Sequence, residues 1–179
     1  MRLICGIVRL DGAEATRSDL HAMFAALTPS GLASCARSRV EGNAALGVLD
    51  FSTKGTDTCG SLPVGPDGSW LAADARLDDA AGEDEGTAIR EAFSRWGPDL
   101  PGSLHGDYAL ALWQPGERKL TLARDIMAVR PLCYFHQPGR VLAFASLPKG
   151  LHASGIAPRI TLRAEGKASH GDGNGSQGS

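Results

Sequence analysis

Seven short apolar runs, separated by Gly, Pro and Asp, constrain the fold of this chain more than any other feature. They are RLICGIVRL, AALGVLDF, SWLAADARL, DYALALWQ, KLTLARDIM, PLCYFHQ and RVLAFAS. Runs of this length and punctuation are typical of β-strands. The breaks QPGERK and HQPGR each place Pro-Gly between two runs, where Pro presets φ and Gly accepts a positive φ. The pattern predicts seven strands, the last four as an antiparallel meander.

Two other stretches have helical periodicity. Leu20, Met23, Phe24 and Leu27 follow the i, i+3, i+4, i+7 pattern, with Thr16 or Ser18 placed to cap the first turn. In EGTAIREAFSRWG, the same pattern puts Ile89, Ala92, Phe93 and Trp96 on one face, and Gly97 and Pro98 end the helix. We therefore expect Met23 and Trp96 in the core. Strand groups with isolated helices, without βαβ spacing, predict an α+β fold with mainly antiparallel sheets.

The 179 residues fit one domain, expected over residues 1–160. Residues 161–179 are rich in Gly and Ser and predict a disordered tail, in which His170 and Asp172 are solvated. A net charge of -2 does not favour nucleic-acid binding. No apolar run reaches the roughly 20 residues that span a membrane, and the start of the chain lacks a signal-peptide core, so we expect a cytoplasmic protein.

The four cysteines, Cys5, Cys35, Cys59 and Cys133, lie far apart along the chain. Zinc sites and redox dithiols need closely paired cysteines, so this spacing favours free thiols. Nucleotide-binding Gly-rich loops are missing from the sequence as well. We expect no structural metal and no cofactor.

Several segments together resemble a known family. These are CGIV, ALG, LAADARLDD, WGPDLPGSLHGDYALALW, LARDIMAVRPLCYF and FASLPKGL, which span residue 3 to about residue 153. In this order and spacing they resemble the N-terminal class II glutamine amidotransferase domain of the asparagine synthetase family. The resemblance implies an αββα sandwich of two antiparallel sheets between helical layers, the fold of the N-terminal-nucleophile hydrolases.

The resemblance is strongest to amide-forming paralogues such as the lasso-peptide macrolactam synthetases. In those proteins an ATP-pyrophosphatase domain follows and adenylates a carboxylate. Its Ser-Gly-Gly-Leu-Asp-Ser type of loop does not occur in this sequence. The resemblance therefore implies, as a partner, an ATP-dependent synthetase domain on another chain.

Chemistry of the family type needs a cysteine whose own α-amine is free to accept the thiol proton. The nitrogen of Cys5 is acylated by Ile4, so catalysis by Cys5 requires removal of residues 1–4. Otherwise Cys5 is a small buried strand residue, which is common for cysteine. Of these two interpretations we favour the second, and we expect Gly6 to serve backbone geometry.

The substrate-binding positions implied by the resemblance are replaced. Asp74, Ala75 and Arg76 occupy the family's Asn-Gly-Glu run, and His105 stands in place of an Asp. Asp in place of Asn puts an anion where negative charge develops during the reaction. It therefore opposes stabilisation of the oxyanion, a contribution of about 3 kcal/mol. Arg in place of Glu inverts the charge that would hold the substrate's ammonium group. These changes predict a weak or absent glutaminase.

The leading hypothesis is a degenerate glutamine amidotransferase domain, inactive alone, that acts as a scaffold for an amide-forming synthetase. The alternative is an active glutaminase that exposes Cys5 by cleavage, takes glutamine and supplies ammonia. A third interpretation gives His105 and Asp107 a catalytic role near Cys5. Arg124, Asp125 and Arg130 resemble a family stretch that joins two strands, with Ala128 in place of the family's Gly. We expect Arg124 and Asp125 to fix that connection or to face a partner domain, rather than to take part in chemistry.

Overall fold

The computed structural model describes residues 1–30, 32, 34–51, 60–78 and 84–156. The predicted tail, its His170 and Asp172, and Cys59 lie outside these residues. In chain order, the elements are β1 (Arg2–Arg9), α1 (Arg17–Leu27), β2 (Cys35–Glu41), β3 (Ala44–Asp50), β4 (Trp70–Leu77), α2 (Glu85–Trp96), a 3-10 helix (Gly97–Gly102), β5 (Gly106–Gln114), β6 (Lys119–Arg124), β7 (Cys133–Gln137), β8 (Val141–Ala145) and α3 (Pro148–Ala153). The α+β class predicted from the sequence is confirmed.

The strands form two antiparallel sheets. One has five strands in the order β2-β3-β1-β8-β7, and the other has three in the order β4-β5-β6. β1 is the central strand of the larger sheet, hydrogen-bonded to β3 on one side and to β8 on the other. Any change that shortens β1 therefore removes pairing in the middle of the sheet.

Three apolar clusters order these elements into layers. The first packs α1 and α3 against the five-stranded sheet, through residues such as Met23 and Leu151. The second fills the space between the two sheets, and the third packs α2 and the 3-10 helix against the outer face of the three-stranded sheet. The order of layers is thus helices, sheet, sheet, helices.

The helix boundaries follow from local chemistry. Thr16 caps α1, and its side chain and that of Asp19 form a reciprocal capping box. Asp84 caps α2 by accepting a hydrogen bond from the Thr87 backbone N–H. Gly97, with φ of 54°, ends α2 where the sequence predicts.

The predicted four-strand meander is wrong in one respect. β5 pairs with β6 in the smaller sheet, and β7 pairs with β8 in the larger one, so the two hairpins belong to different sheets. The connection between β6 and β7 crosses the sandwich, and Leu132 in it packs against the cluster between the sheets. Sequence adjacency predicts a hairpin but does not say which sheet receives it.

Three further details differ from the sequence predictions. β2 was not predicted, because its residues CARSRVE are mostly polar and only partly buried. Met23 is fully buried as expected, but Trp96, at the last position of α2, is 53% exposed. Gly6 has no positive φ; instead, the ring of Phe144 occupies the place of a side chain, and a Cβ would lie 2.5 Å from it.

Candidate functional site

Cys5 lies in the middle of β1, opposite Gly47 of β3 and Ala145 of β8. Its relative exposure is 0%. Burial raises the pKa of the Cys5 thiol far above its ordinary value. Because the thiolate is the reactive form of cysteine, burial disfavours reaction of this thiol in the folded chain.

The alternation of side chains along β1 decides which way Cys5 faces. Leu3, Cys5 and Ile7 belong to the cluster under α1 and α3, whereas Ile4 and Val8 belong to the cluster between the sheets. Cys5 therefore faces the helical layer. Of the substrate-site residues implied by the resemblance, Asp74, Ala75 and Arg76 lie on β4 of the three-stranded sheet, and His105 directly precedes β5 of the same sheet.

A small cavity of about 160 Å³ lies at one end of the sandwich, where β1, β3 and β4 meet the start of α2. Its lining consists of Met1, Arg2, Asp50, Asp74, Ala75, Glu85 and Arg130. Two predicted site residues, Asp74 and Ala75, are among them, and Cys5 is not. None of these seven described residues is a cysteine, serine or threonine, so the described part of the lining supplies no side-chain thiol or hydroxyl as a nucleophile.

The walls of the small cavity are held by ion pairs. Arg2 Nε lies 3.1 Å from Asp50 Oδ2, and Arg2 Nη1 lies 3.1 Å from Glu85 Oε2. Arg130 Nη1 donates to Asp74 Oδ2 at 3.3 Å. Burial raises the pKa of Asp74, and the positive charge of Arg130 opposes that rise. The charged groups of the cavity thus bind one another across three strands, a helix and the connection between β6 and β7.

Arg2, Asp50 and Glu85 were missed as site residues by the sequence reasoning. Arg2 and Asp50 are opposite partners at the ends of β1 and β3, and Arg37 of β2 also approaches Asp50, at 3.6 Å. The sequence signal available for Arg2 and Asp50 was that each is a charged residue near the end of an apolar run, RLICGIVRL and AALGVLDF. Glu85 gave no such signal, because its contact with Arg2 spans 83 residues of sequence.

Two predicted site residues lie outside this cavity. Arg76 is exposed near the end of β4, opposite Asp107 of β5. His105 is exposed just before β5, and its backbone carbonyl accepts a hydrogen bond from the Asp78 N–H at 3.0 Å. The structure brings Asp74 and Ala75 together with Arg2 and leaves Arg76 and His105 outside that group.

A larger cavity of about 330 Å³ adjoins the small one and shares Arg2, Ala75 and Glu85 with it. The ion pair between Arg2 and Glu85 lies between the two spaces. Arg90 of α2, which also lines the larger cavity, donates to Ser69 Oγ at 2.7 Å and to the Pro63 carbonyl at 3.2 Å. Arg90 therefore ties α2 to the loop before β4.

The connection between β6 and β7 is fixed by Asp125. Its carboxylate accepts hydrogen bonds from the backbone N–H groups of Val129 at 2.9 Å, Arg130 at 3.1 Å and Tyr108 at 3.3 Å. Burial disfavours its charge, but these backbone donors outweigh burial and lower the pKa of Asp125. The expectation that Asp125 fixes this connection is confirmed, while Arg124 is exposed to solvent.

In the part of the chain that the structure describes, no three His, Cys, Asp or Glu side chains are grouped closely enough to hold a metal ion. None of the described helices is long and apolar enough to cross a membrane.

Residues 77–153 match the family model of the glutamine amidotransferase domain. The match supports a glutamine amidotransferase domain in this chain. It covers α2, the 3-10 helix, β5 to β8 and α3, and it includes His105 and Asp125. Cys5 and Asp74 precede the matched residues. No curated protein matches the chain.

Proposed function

We propose that this chain is a degenerate glutamine amidotransferase domain that does not hydrolyse glutamine and serves as a docking partner for an ATP-dependent, amide-forming synthetase. The family match over residues 77–153 supports the amidotransferase origin. The layered arrangement of two antiparallel sheets between helices is compatible with the N-terminal-nucleophile hydrolase fold. The asparagine synthetase family, and its lasso-peptide branch, are the origin we propose within that class.

The proposal that glutaminase activity is lost rests mainly on the position of Cys5. A family-type nucleophile needs a thiol next to its own free α-amine and open to substrate. Cys5 instead lies fully buried within a central strand and is paired on both sides. Removing residues 1–4 to free its amine would also remove Leu3 and Ile4, which are buried in two different clusters.

The small cavity supports the same proposal. A substrate with an ammonium and a carboxylate needs charged groups that are available to it, and displacing an existing ion pair costs binding energy. Here Arg2 binds Asp50 and Glu85, and Arg130 binds Asp74. We infer that this cavity no longer accepts glutamine and that its charged residues now hold the end of the sandwich together.

The test of lost activity begins with the mass of the chain isolated from its own cells. Our proposal expects a mass that retains residues 1–4, which leaves Cys5 acylated by Ile4. A mass that begins at Cys5 would support an active glutaminase instead and would overturn the degenerate assignment.

The docking role is tested with a purified ATP-dependent synthetase from the same organism. We expect the two chains to co-elute as a complex, and we expect amide formation with ammonium as nitrogen source to rise when this chain is added. A Cys5→Ser variant should raise it equally, since the proposal assigns the thiol no chemistry. Stimulation that occurs only with glutamine and is lost in Cys5→Ser would contradict the proposal.

A further inference from the structure

The turn after β6 presents three large apolar side chains to solvent. Ile126 is 99% exposed, Met127 is 79% exposed and Val129 is 53% exposed. We call residues 126–129 the apolar loop. Single exposed apolar residues are ordinary on protein surfaces, but three within four positions form a contiguous patch of the kind that marks an interaction site.

The apolar loop is held in one shape by its own backbone. The Ala128 N–H donates to the Asp125 carbonyl at 3.0 Å, and the Val129 N–H donates to Asp125 Oδ1 at 2.9 Å. Ala128 takes a φ of 54°, a conformation that costs a non-glycine residue about 1 kcal/mol or more. The turn is therefore already ordered in the free chain. A partner that binds these side chains does not have to order the turn, which lowers the entropy cost of binding.

The charges beside the apolar loop indicate what kind of surface it fits. Between residues 124 and 130, Arg124 is exposed, whereas Arg130 turns inward to Asp74 and lines the small cavity. A surface that receives this loop and complements Arg124 has an apolar recess with carboxylates at its rim. Because Arg130 follows directly on Val129 and lines the small cavity, a partner docked here lies close to that cavity.

We propose that the apolar loop is the docking element of this chain, and that Ile126 and Met127 insert into an apolar recess rimmed by carboxylates on a partner protein. This inference rests on the proposed docking role and names the surface that performs it. A membrane is a weaker fit, because recruitment to anionic lipid uses clusters of about four to eight basic residues. Of the two arginines that flank the loop in sequence, Arg124 is exposed and Arg130 is partly buried and paired with Asp74.

The test places a photo-crosslinking amino acid at Met127 in the full chain, expressed in its own cells. Control positions are Trp96, 53% exposed at the end of α2, and Lys119, exposed at the start of β6. We expect Met127 alone to crosslink, to a protein segment with apolar residues and flanking Asp or Glu. Crosslinks to lipid, to a second copy or to residues 157–179 of the same chain would overturn the inference.

The control positions separate failure of the inference from failure of the docking role. A partner crosslinked from Trp96 or Lys119 but not from Met127 would overturn the assignment of the apolar loop as the docking element and leave the docking role intact. If none of the three positions yields a protein crosslink, both proposals fail.

A second measurement uses the crosslinked partner in purified form. Because Ile126 and Met127 are exposed, the double variant I126S/M127S should keep the thermal midpoint of the chain while weakening partner binding at least about tenfold. Arg124→Glu should weaken it as well. Leu10→Ser, which removes an apolar side chain that is 40% exposed and lies outside the apolar loop, is the matched control and should bind normally. Equal affinity of I126S/M127S and the unaltered chain would overturn the inference.

Discussion

Deleting residues 1–4, so that the chain begins at Cys5, should largely unfold the domain. This is the change that an active N-terminal cysteine would require. The deletion removes three opposite pairs between β1 and β3, at Arg2, Leu3 and Ile4. It also removes the hydrogen bond from the Ile4 N–H to Ser146 Oγ, at 2.8 Å, and the return bond from the Ser146 N–H to the Ile4 carbonyl, at 2.8 Å.

The magnitude follows from burial. Leu3 is 5% exposed and Ile4 is 0% exposed, and each fully buried side chain of this size contributes about 1.5 to 3 kcal/mol. Loss of the two therefore costs about 3 to 6 kcal/mol, before the hydrogen bonds at about 1 kcal/mol each. Asp50 also loses its contact with Arg2 while it stays buried. The total is comparable to the whole stability of an ordinary domain, about 5 to 15 kcal/mol.

Urea unfolding followed by circular dichroism measures this loss. The deletion is made by cleaving a fusion partner so that Cys5 becomes the first residue. We expect the midpoint to fall by about 2 M or more, or the folded baseline to disappear. A chain with two extra residues before Met1 is the control for handling the terminus, and it should unfold near the normal midpoint. A chain that begins at Cys5 and keeps the midpoint of the full-length protein would refute the reasoning.

Four smaller predictions follow from single positions. Asp125→Asn should cost about 2 to 4 kcal/mol at pH 7, because the carboxylate accepts from three backbone donors. The pKa of Asp125 is lowered in the folded chain, so the carboxylate's contribution to stability is present above about pH 4 and is lost in acid. An equal loss of stability in Asp125→Asn at pH 3 and pH 7 would contradict this. Ala128→Gly should raise the free energy of unfolding by about 1 kcal/mol by relieving the positive φ, and a loss in urea titration would argue against strain there. Gly6→Ala should destabilise by about 1 to 3 kcal/mol or more, whereas Gly116→Ala, with open space around it, should have little effect. Iodoacetamide should alkylate Cys5 only as urea unfolds the chain, and fast labelling of that thiol in the native protein would be incompatible with its burial.

Local signals predicted much of the fold. Thr16, Gly97 and the apolar runs act through contacts within a few residues, and the elements they define lie where the sequence places them. Contacts between distant segments carried less signal. The switch of sheet after β6 depends on packing between layers, and β2 owes its strand to pairing with β3 rather than to its polar sequence.

The candidate site was harder to predict for the same reason. Asp74 and Ala75 were identified by resemblance, and they do line the small cavity. Arg2 and Glu85 come together across 83 residues, so their pairing could not be read from local spacing. Cys5 drew attention because of its position near the start of the chain, but the alternation of β1 turns it toward the helical layer, away from that cavity.

Release of glutamate from glutamine by the full-length chain, measured beside the Cys5→Ser variant, tests the central claim most directly. The serine variant keeps nearly the same volume in the buried strand and removes the thiol. We expect both proteins to release no glutamate above a buffer blank. Glutamate release by the full-length chain that is lost in Cys5→Ser would contradict our account.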